Sequence, residues 1–120
     1  KNLTGPRLWI VDPIDGTRGF AKKNDEFSIM IGLVERGTPV LGAVFEPAID
    51  RLTYAIKGEG CQVIEKSGTP RQVRVTSTSR LAGAVLSISR SQKEAGRKKL
   101  LDGFGAKDAI ETYSAGIKLA

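Results

Sequence analysis

Residues 9–20 read WIVDPIDGTRGF. The apolar run LWIV, residues 8–11, reads as a short buried strand. Asp-Pro and Asp-Gly are strong turn pairs, so DPIDGT is expected to end it. Asp12 and Asp15 stand three apart across a Pro-Ile link that stiffens the chain. Two carboxylates held this close repel unless a cation lies between them, and oxygen ligands of this kind suit Mg2+. Gly16 leaves room for a ligand to approach the backbone. Residues 17–23 read as a short helix with Asp15 near its N-cap, weakened by Gly19. The N–H groups of Gly16 and Thr17 then sit where an anion such as phosphate is favoured, and the Thr17 hydroxyl is placed to hold a water. These are the parts for metal-assisted attack of water on a phosphate ester. Spacing alone leaves a plain tight turn open, because the same pairs are among the commonest in turns.

The rest of the first half predicts an antiparallel meander. In FSIMIGLVERG, residues 27–37, Phe27, Ile29, Ile31 and Leu33 fall on one strand face. Arg36-Gly37-Thr38 is a turn, and residues 39–47 return as the second arm of a hairpin. Residues 52–57, 61–66 and 72–75 supply further strands across short connections, which requires antiparallel pairing. Residues 76–83 are small and polar, a crossover. A strand over 84–89, a helix over about 92–102, a strand over 108–114 and the start of another helix then imply an incomplete parallel α/β unit. Ser91 and Glu94 fit a capping box for that first helix. Ala95, Leu100 and Leu101 are its inner-face candidates, Gly103 and Gly105 its stop, and Arg97-Lys98-Lys99 a solvated face. The fold class is mixed α/β, with residues 1–75 as one portion and 76–120 as the start of a second.

Composition narrows the function. The 120 residues suit one domain, 40% hydrophobic and 27% charged. No apolar stretch is long enough for a membrane helix, and KNLTGPRLW lacks a signal-peptide pattern. The single Cys61 excludes an intrachain disulfide, fits a reducing, cytoplasmic compartment and is expected to be buried and inert. With no histidine, a Ser-His-Asp triad and a His-based zinc site are excluded. Residues 1–60 carry eight basic and eight acidic side chains, whereas residues 61–120 carry eleven and five. The whole excess of +6 lies in the second half, where it can steer an anionic partner. Aromatic content of 6% and the lack of a nucleic-acid-binding motif argue against a basic nucleic-acid module.

WIVDPIDGTRGF closely resembles the first metal-binding signature of the inositol monophosphatase superfamily, Mg2+-dependent, lithium-sensitive phosphomonoesterases with a layered αβαβα fold. EFSIMIGLVERGTPVLGAVFEP and the Lys-Gly-Glu-Gly turn that follows are similar to this superfamily too. TRGF, SISRSQ (87–92) and YSAGIKLA (113–120) resemble its 3′(2′),5′-bisphosphate nucleotidase branch, with Gln92 where that branch has His. The resemblance implies that Asp12 bridges two Mg2+ ions, that the Ile14 carbonyl binds the first and that Asp15 binds the second. Gly16 and Thr17 would donate to the phosphate, Thr17 also orienting the water. Arg90 and Ser91, with Lys118 as a weaker candidate, would hold a second phosphate or ribose, although Ser91 also reads as a plain helix cap. The implied partner is a small phosphorylated substrate, an adenosine bisphosphate first and an inositol or sugar phosphate second. A homodimer is compatible with the resemblance.

Two carboxylates are few for two or three ions. The family adds a Glu from an upstream helix and an Asp from a downstream Trp-Asp motif. Neither falls within residues 1–120, and no motif makes Asp25, Glu26 or Glu46 a substitute. The chain therefore reads as the central portion of a longer enzyme.

Overall fold

The computed structural model describes residues 5–66 and 68–120. Six strands follow one another as an antiparallel meander in chain order: β1 (Arg7–Asp15), β2 (Ser28–Glu35), β3 (Thr38–Glu46), β4 (Arg51–Ile56), β5 (Gly60–Glu65) and β6 (Arg71–Val73). The β2–β3 turn uses Arg36 and Gly37 at φ 48° and 79°. Two positive φ values make the mirror-image turn whose twist suits a hairpin.

Register sorts the side chains. Ile29, Ile31 and Leu33 stand beside Phe45, Ala43 and Leu41, which stand beside Leu52, Tyr54 and Ile56. One face of the sheet is therefore almost wholly apolar. Trp9 and Val11 join that face opposite Leu33 and Ile31, yet they are 58% and 57% exposed. The other face carries Ser28, Glu46, Thr53 and Val63, all buried, and it receives a short helix, α3 (Ala115–Leu119). Among the described residues only Val63 and Ile88 are buried apolar side chains.

A second, two-stranded sheet pairs β7 (Val85–Ser89) with β8 (Asp108–Thr112) in parallel. The connection is a helix, α2 (Glu94–Phe104), as parallel pairing requires. Its details differ from expectation. The capping box does not form: Lys93 is the N-cap and no side chain caps the helix. The Ser91 hydroxyl accepts instead from Arg18, at 2.8 Å. The helix runs through Gly103 and stops at Gly105, at φ 60°. Ala95 is exposed rather than inward. Lys98 and Lys99 are exposed, but Arg97 is half-buried and pairs with Glu94, Asp108 and Glu111. Cys61 is half-buried, not buried.

The opening stretch also departs from its reading. β1 does not stop at Asp-Pro but continues to Asp15. Among the described residues it is an edge strand, paired only with β2, and the pairing shifts between Asp12 and Asp15. Pro13 lies in that irregularity, where a missing N–H costs the ladder nothing.

Candidate active site

Residues three apart on a regular strand point to opposite faces. Here Asp12 stands opposite Met30 and Asp15 opposite Ser28. Three steps along β1 match two along β2, so one residue is extra and forms a bulge. Met30 and Ser28 are two apart and share a face, which places Asp12 and Asp15 on the same side of the sheet. An Asp-x-x-Asp spacing becomes a pair of neighbours. The Asp12 Oδ1 accepts the Ile14 N–H at 3.2 Å, which holds the bulge.

Asp15 is fastened to the far end of the chain. Its Oδ2 accepts the Gly116 N–H at 2.8 Å and the Ser114 hydroxyl. The Ser28 hydroxyl lies 3.4 Å from the same oxygen and 2.9 Å from Ser114 Oγ. Ser28 and Ser114 are fully buried, and buried hydroxyls need partners; the Asp15 carboxylate supplies one for both. Ser114 also caps α3, accepting the Ile117 N–H at 3.0 Å. Gly116 permits the approach: a Cβ there would lie 2.4 Å from Ser28 Oγ and 2.9 Å from Met30 Sδ.

The next turn is α1 (Thr17–Lys22), with Gly16 rather than Asp15 at its N-cap. Gly16 has φ 83°, and an added Cβ would meet the Glu26 carbonyl oxygen at 2.6 Å. The space its missing side chain leaves is filled by protein, not kept for a ligand. Phe20 meets Phe27 edge-on at 5.1 Å and anchors α1 against the start of β2.

Gly16, Thr17, Arg18, Ser91 and Tyr113 line a small open pocket between the two sheets. Arg18 crosses it to Ser91, and Lys22 donates to the Tyr113 hydroxyl at 2.9 Å. Of the residues expected to bind substrate, Gly16, Thr17 and Ser91 meet here and Arg90 does not. The Arg90 guanidinium forks onto the Glu26 carboxylate and donates to the Glu111 carbonyl at 2.8 Å. Glu26 also accepts the Tyr113 N–H at 3.1 Å. The bond from Arg90 holds the Glu26 carboxyl below its ordinary value against the opposing effect of burial; Tyr113 and Lys118 add to the lowering. Arg90 is raised in turn, chiefly by the same bond. Lys118 Nζ turns back to the Ser114 carbonyl at 2.9 Å.

Sequence reading missed Ser28, Ser114 and Gly116 around Asp15, and Lys22 and Tyr113 beside the pocket. Arg18 and Lys22 left a signal, an i, i+4 pair on one helical turn. Ser114 left one too, a polar residue just before a helical run. Their long-range partners left none.

The donor set fits Mg2+ in kind. Asp12 Oδ2 and Asp15 Oδ1 have no hydrogen-bond partner among the described residues, and the two carboxylates share a face. Mg2+ is commonly held by one or two carboxylates, with water and phosphate completing its shell. The three donors on Asp15 orient that carboxylate as outer partners orient a ligand. Among the described residues no group of three His, Cys, Asp or Glu side chains converges on a metal site, so these two carboxylates would carry it within this chain.

Comparison with known proteins gives this geometry its family. The 3′(2′),5′-bisphosphate nucleotidase CysQ of Salmonella typhimurium is 44% identical over 69 residues, 58% of this chain and 27% of that protein. Its counterpart in Escherichia coli K12 is 35% identical over 99 residues, 82% of this chain and 38% of that protein. A histidinol-phosphatase of Mycobacterium tuberculosis is 39% identical over 83 residues, 69% of this chain and 32% of that protein. Among solved structures, Mycobacterium tuberculosis SuhB superposes with a TM-score of 0.79 at 26% identity, covering 97% of this chain and 49% of that one. An IMPase/NADP phosphatase complexed with Mg2+ and phosphate has the same fold at 24% identity and a TM-score of 0.77, covering 98% of this chain and 44% of that one. The chain thus spans less than half the length of each of these proteins. The family's sequence profile matches residues 2–120, and the chain belongs to the inositol monophosphatase family, whose members are phosphatases.

Proposed function

We propose that the complete gene product is a Mg2+-dependent phosphomonoesterase that removes the 3′-phosphate of 3′-phosphoadenosine 5′-phosphate. The observation that carries this reading is the bulge, which sets Asp12 and Asp15 side by side, one residue before the Gly16–Thr17 wall of a pocket. In this reading Asp12, Asp15 and the Ile14 carbonyl hold the metal. Bound Mg2+ would neutralise charge on the phosphate and make the attacking water more acidic. The Gly16 and Thr17 N–H groups donate to the phosphate oxygens, and the Thr17 hydroxyl accepts a hydrogen bond from the water and fixes its line of attack. The water oxygen bonds to phosphorus, the bond to the 3′ oxygen breaks, and that oxygen takes up a proton. Ser91 faces the rest of the substrate across the pocket. Lys118 and Arg90 hold α3 and β8 around it through Ser114, Glu26 and Glu111. Charge supports the assignment, since the second half brings the whole net excess. Among the described residues no helix is long and apolar enough to cross a membrane, and a cytoplasmic setting is part of the proposal.

A second reading on the same scaffold, a phosphatase for another small phosphate ester, draws support from the 39% identity to the histidinol-phosphatase. Kinetics of the complete gene product on 3′-phosphoadenosine 5′-phosphate, inositol 1-phosphate and histidinol phosphate decide between them. The first reading expects the bisphosphate to have the highest kcat/KM. A higher value for either of the others would replace it.

A further inference from the structure

Glu26 lies where three segments of the chain meet. It ends the connection between α1 and β2, in which Lys23 and Asp25 both take left-handed backbone, at φ 54° and 63°. Residues other than glycine are strained there and stay only where their surroundings hold them. The Asn24 Oδ1 accepts the Glu26 N–H at 3.2 Å and closes this turn. The Glu26 carbonyl packs so tightly on Gly16 and Gly19 that a Cβ on either glycine would clash with it. Gly16 directly follows Asp15, so the Glu26 main chain is fixed against the metal-binding turn.

The Glu26 side chain reaches the second sheet unit. Its Oε2 accepts Arg90 Nε at 2.8 Å and the Tyr113 N–H at 3.1 Å, and Arg90 Nη2 completes the fork on Oε1. Arg90 directly follows β7 and donates to the Glu111 carbonyl of β8 at 2.8 Å. The ends of both parallel strands are therefore tied to one carboxylate. Tyr113 is followed by Ser114, whose hydroxyl donates to Asp15 Oδ2, the oxygen that also accepts the Gly116 N–H at 2.8 Å. A closed circuit results. Glu26 abuts the Asp15 turn through Gly16 on one side and reaches the Asp15 carboxylate through Tyr113 and Ser114 on the other. The Glu26 side chain is only 19% exposed, so taking away one member of this pair leaves the other costly to accommodate.

We propose that Glu26 is a positioning residue for Asp15: with Arg90 it fixes Tyr113 and Ser114, and so sets how the Asp15 carboxylate is presented and how tightly the site takes its metal. This rests on the reading of Asp12 and Asp15 as metal ligands, and gives Glu26 and Arg90 a part in metal affinity while neither touches the metal.

The test is calorimetric titration of the complete gene product with Mg2+ alone, without substrate. Glu26→Leu and Arg90→Met should each weaken Mg2+ binding about 5-fold or more, approaching the loss typical of an outer partner of a ligand. The two variants change local charge in opposite directions. A pure field effect would weaken binding in Glu26→Leu and tighten it in Arg90→Met, whereas lost positioning weakens both. Glu35→Leu, which breaks the Arg7 pair at the other end of β1 and β2, should stay within about 2-fold of the parent. Because Glu26 acts through Ser114, Glu26→Leu with Ser114→Ala should weaken binding less than the product of the two separate losses. Unchanged or tighter binding in Arg90→Met, or separate losses that multiply fully, would overturn the positioning role. Should Glu26→Leu fail to fold, the more exposed Arg90→Met decides alone, with weakening in support and anything else against. A parent that binds no Mg2+ would sink the metal-ligand reading and the positioning role together; a parent that binds with variants that match it would sink the positioning role only.

Discussion

The Asp15 carboxylate accepts the Gly116 N–H at 2.8 Å across 101 residues of sequence. Through this bond and the Ser114 hydroxyl, a carboxylate on the edge strand of the first sheet is oriented by the helix that follows the second. A residue that reads as a metal ligand is thereby also the point where the two halves of the chain meet.

Ser114→Ala removes a donor to Asp15 and the cap of α3 together. A buried bond to a charged acceptor and an N-cap imply a loss of about 1–3 kcal/mol in unfolding free energy. Urea denaturation of the parent and the variant measures it. In the active protein the Mg2+ concentration for half-maximal rate should rise about 10-fold or more, the usual effect of losing an outer partner of a ligand. An unchanged metal requirement would reduce Ser114 to a cap.

Gly16→Ala should be among the most damaging small substitutions. Its φ of 83° lies in the left-handed region, and the new Cβ would meet the Glu26 carbonyl at 2.6 Å. Left-handed strain alone costs about 1–2 kcal/mol, and the backbone clash adds to it. Gly42→Ala is the control, since an added Cβ there meets nothing within 4 Å. Thermal unfolding should separate the two clearly; equal melting temperatures would mean that the turn rearranges freely.

The ion pair between Glu26 and Arg90 makes the junction sensitive to acid. Arg90 lowers the Glu26 carboxyl below its ordinary 4.5, so the folded state favours the ionised form. That stability is complete above the unfolded value and is lost as pH falls through the lowered folded one. Between about pH 6 and pH 3 the parent should therefore lose more stability than Glu26→Gln, which has no charge to lose. Parallel curves for the two proteins would show that the pair does not report on folding.

Much of the fold is legible in the sequence because it is local. Alternation in residues 27–37 and short turns between strands specify the meander, and the parallel pair follows from a strand, a helix and a strand. The misread details depend on tertiary partners. Pro13 looks like a stop, but in an edge-strand bulge it is harmless. Ser91 looks like a cap until Arg18 arrives from 73 residues away. Arg90 looks free to bind substrate because Glu26 and Glu111, which take it up, come from other elements. The Asp-x-x-Asp spacing is legible in the sequence, but the bulge that makes the two carboxylates neighbours is not.

The 120-residue chain by itself should release little or no phosphate in Mg2+. Its described residues hold no converging group of three metal-binding side chains. The apolar face with Trp9 and Val11 stands exposed, so the isolated chain should also bind a hydrophobic dye. A phosphate-release assay across Mg2+ concentrations checks the first expectation and dye fluorescence the second; clear Mg2+-dependent turnover by the chain alone would refute the first.

Asp12 is proposed to hold the metal that drives phosphate release. That role is tested most directly by phosphate release from 3′-phosphoadenosine 5′-phosphate as Mg2+ is varied, for the complete gene product and its Asp12→Asn variant. Asp12 is half-buried and, among the described residues, accepts only the nearby Ile14 N–H, so the variant should fold. Losing an outer partner of a metal ligand costs about 10–100-fold, and losing the ligand itself should cost more than about 100-fold. Mg2+-dependent release by the parent and a loss of that size at an unchanged unfolding midpoint are expected. An Asp12→Asn protein that keeps its rate within about 10-fold of the parent would contradict it.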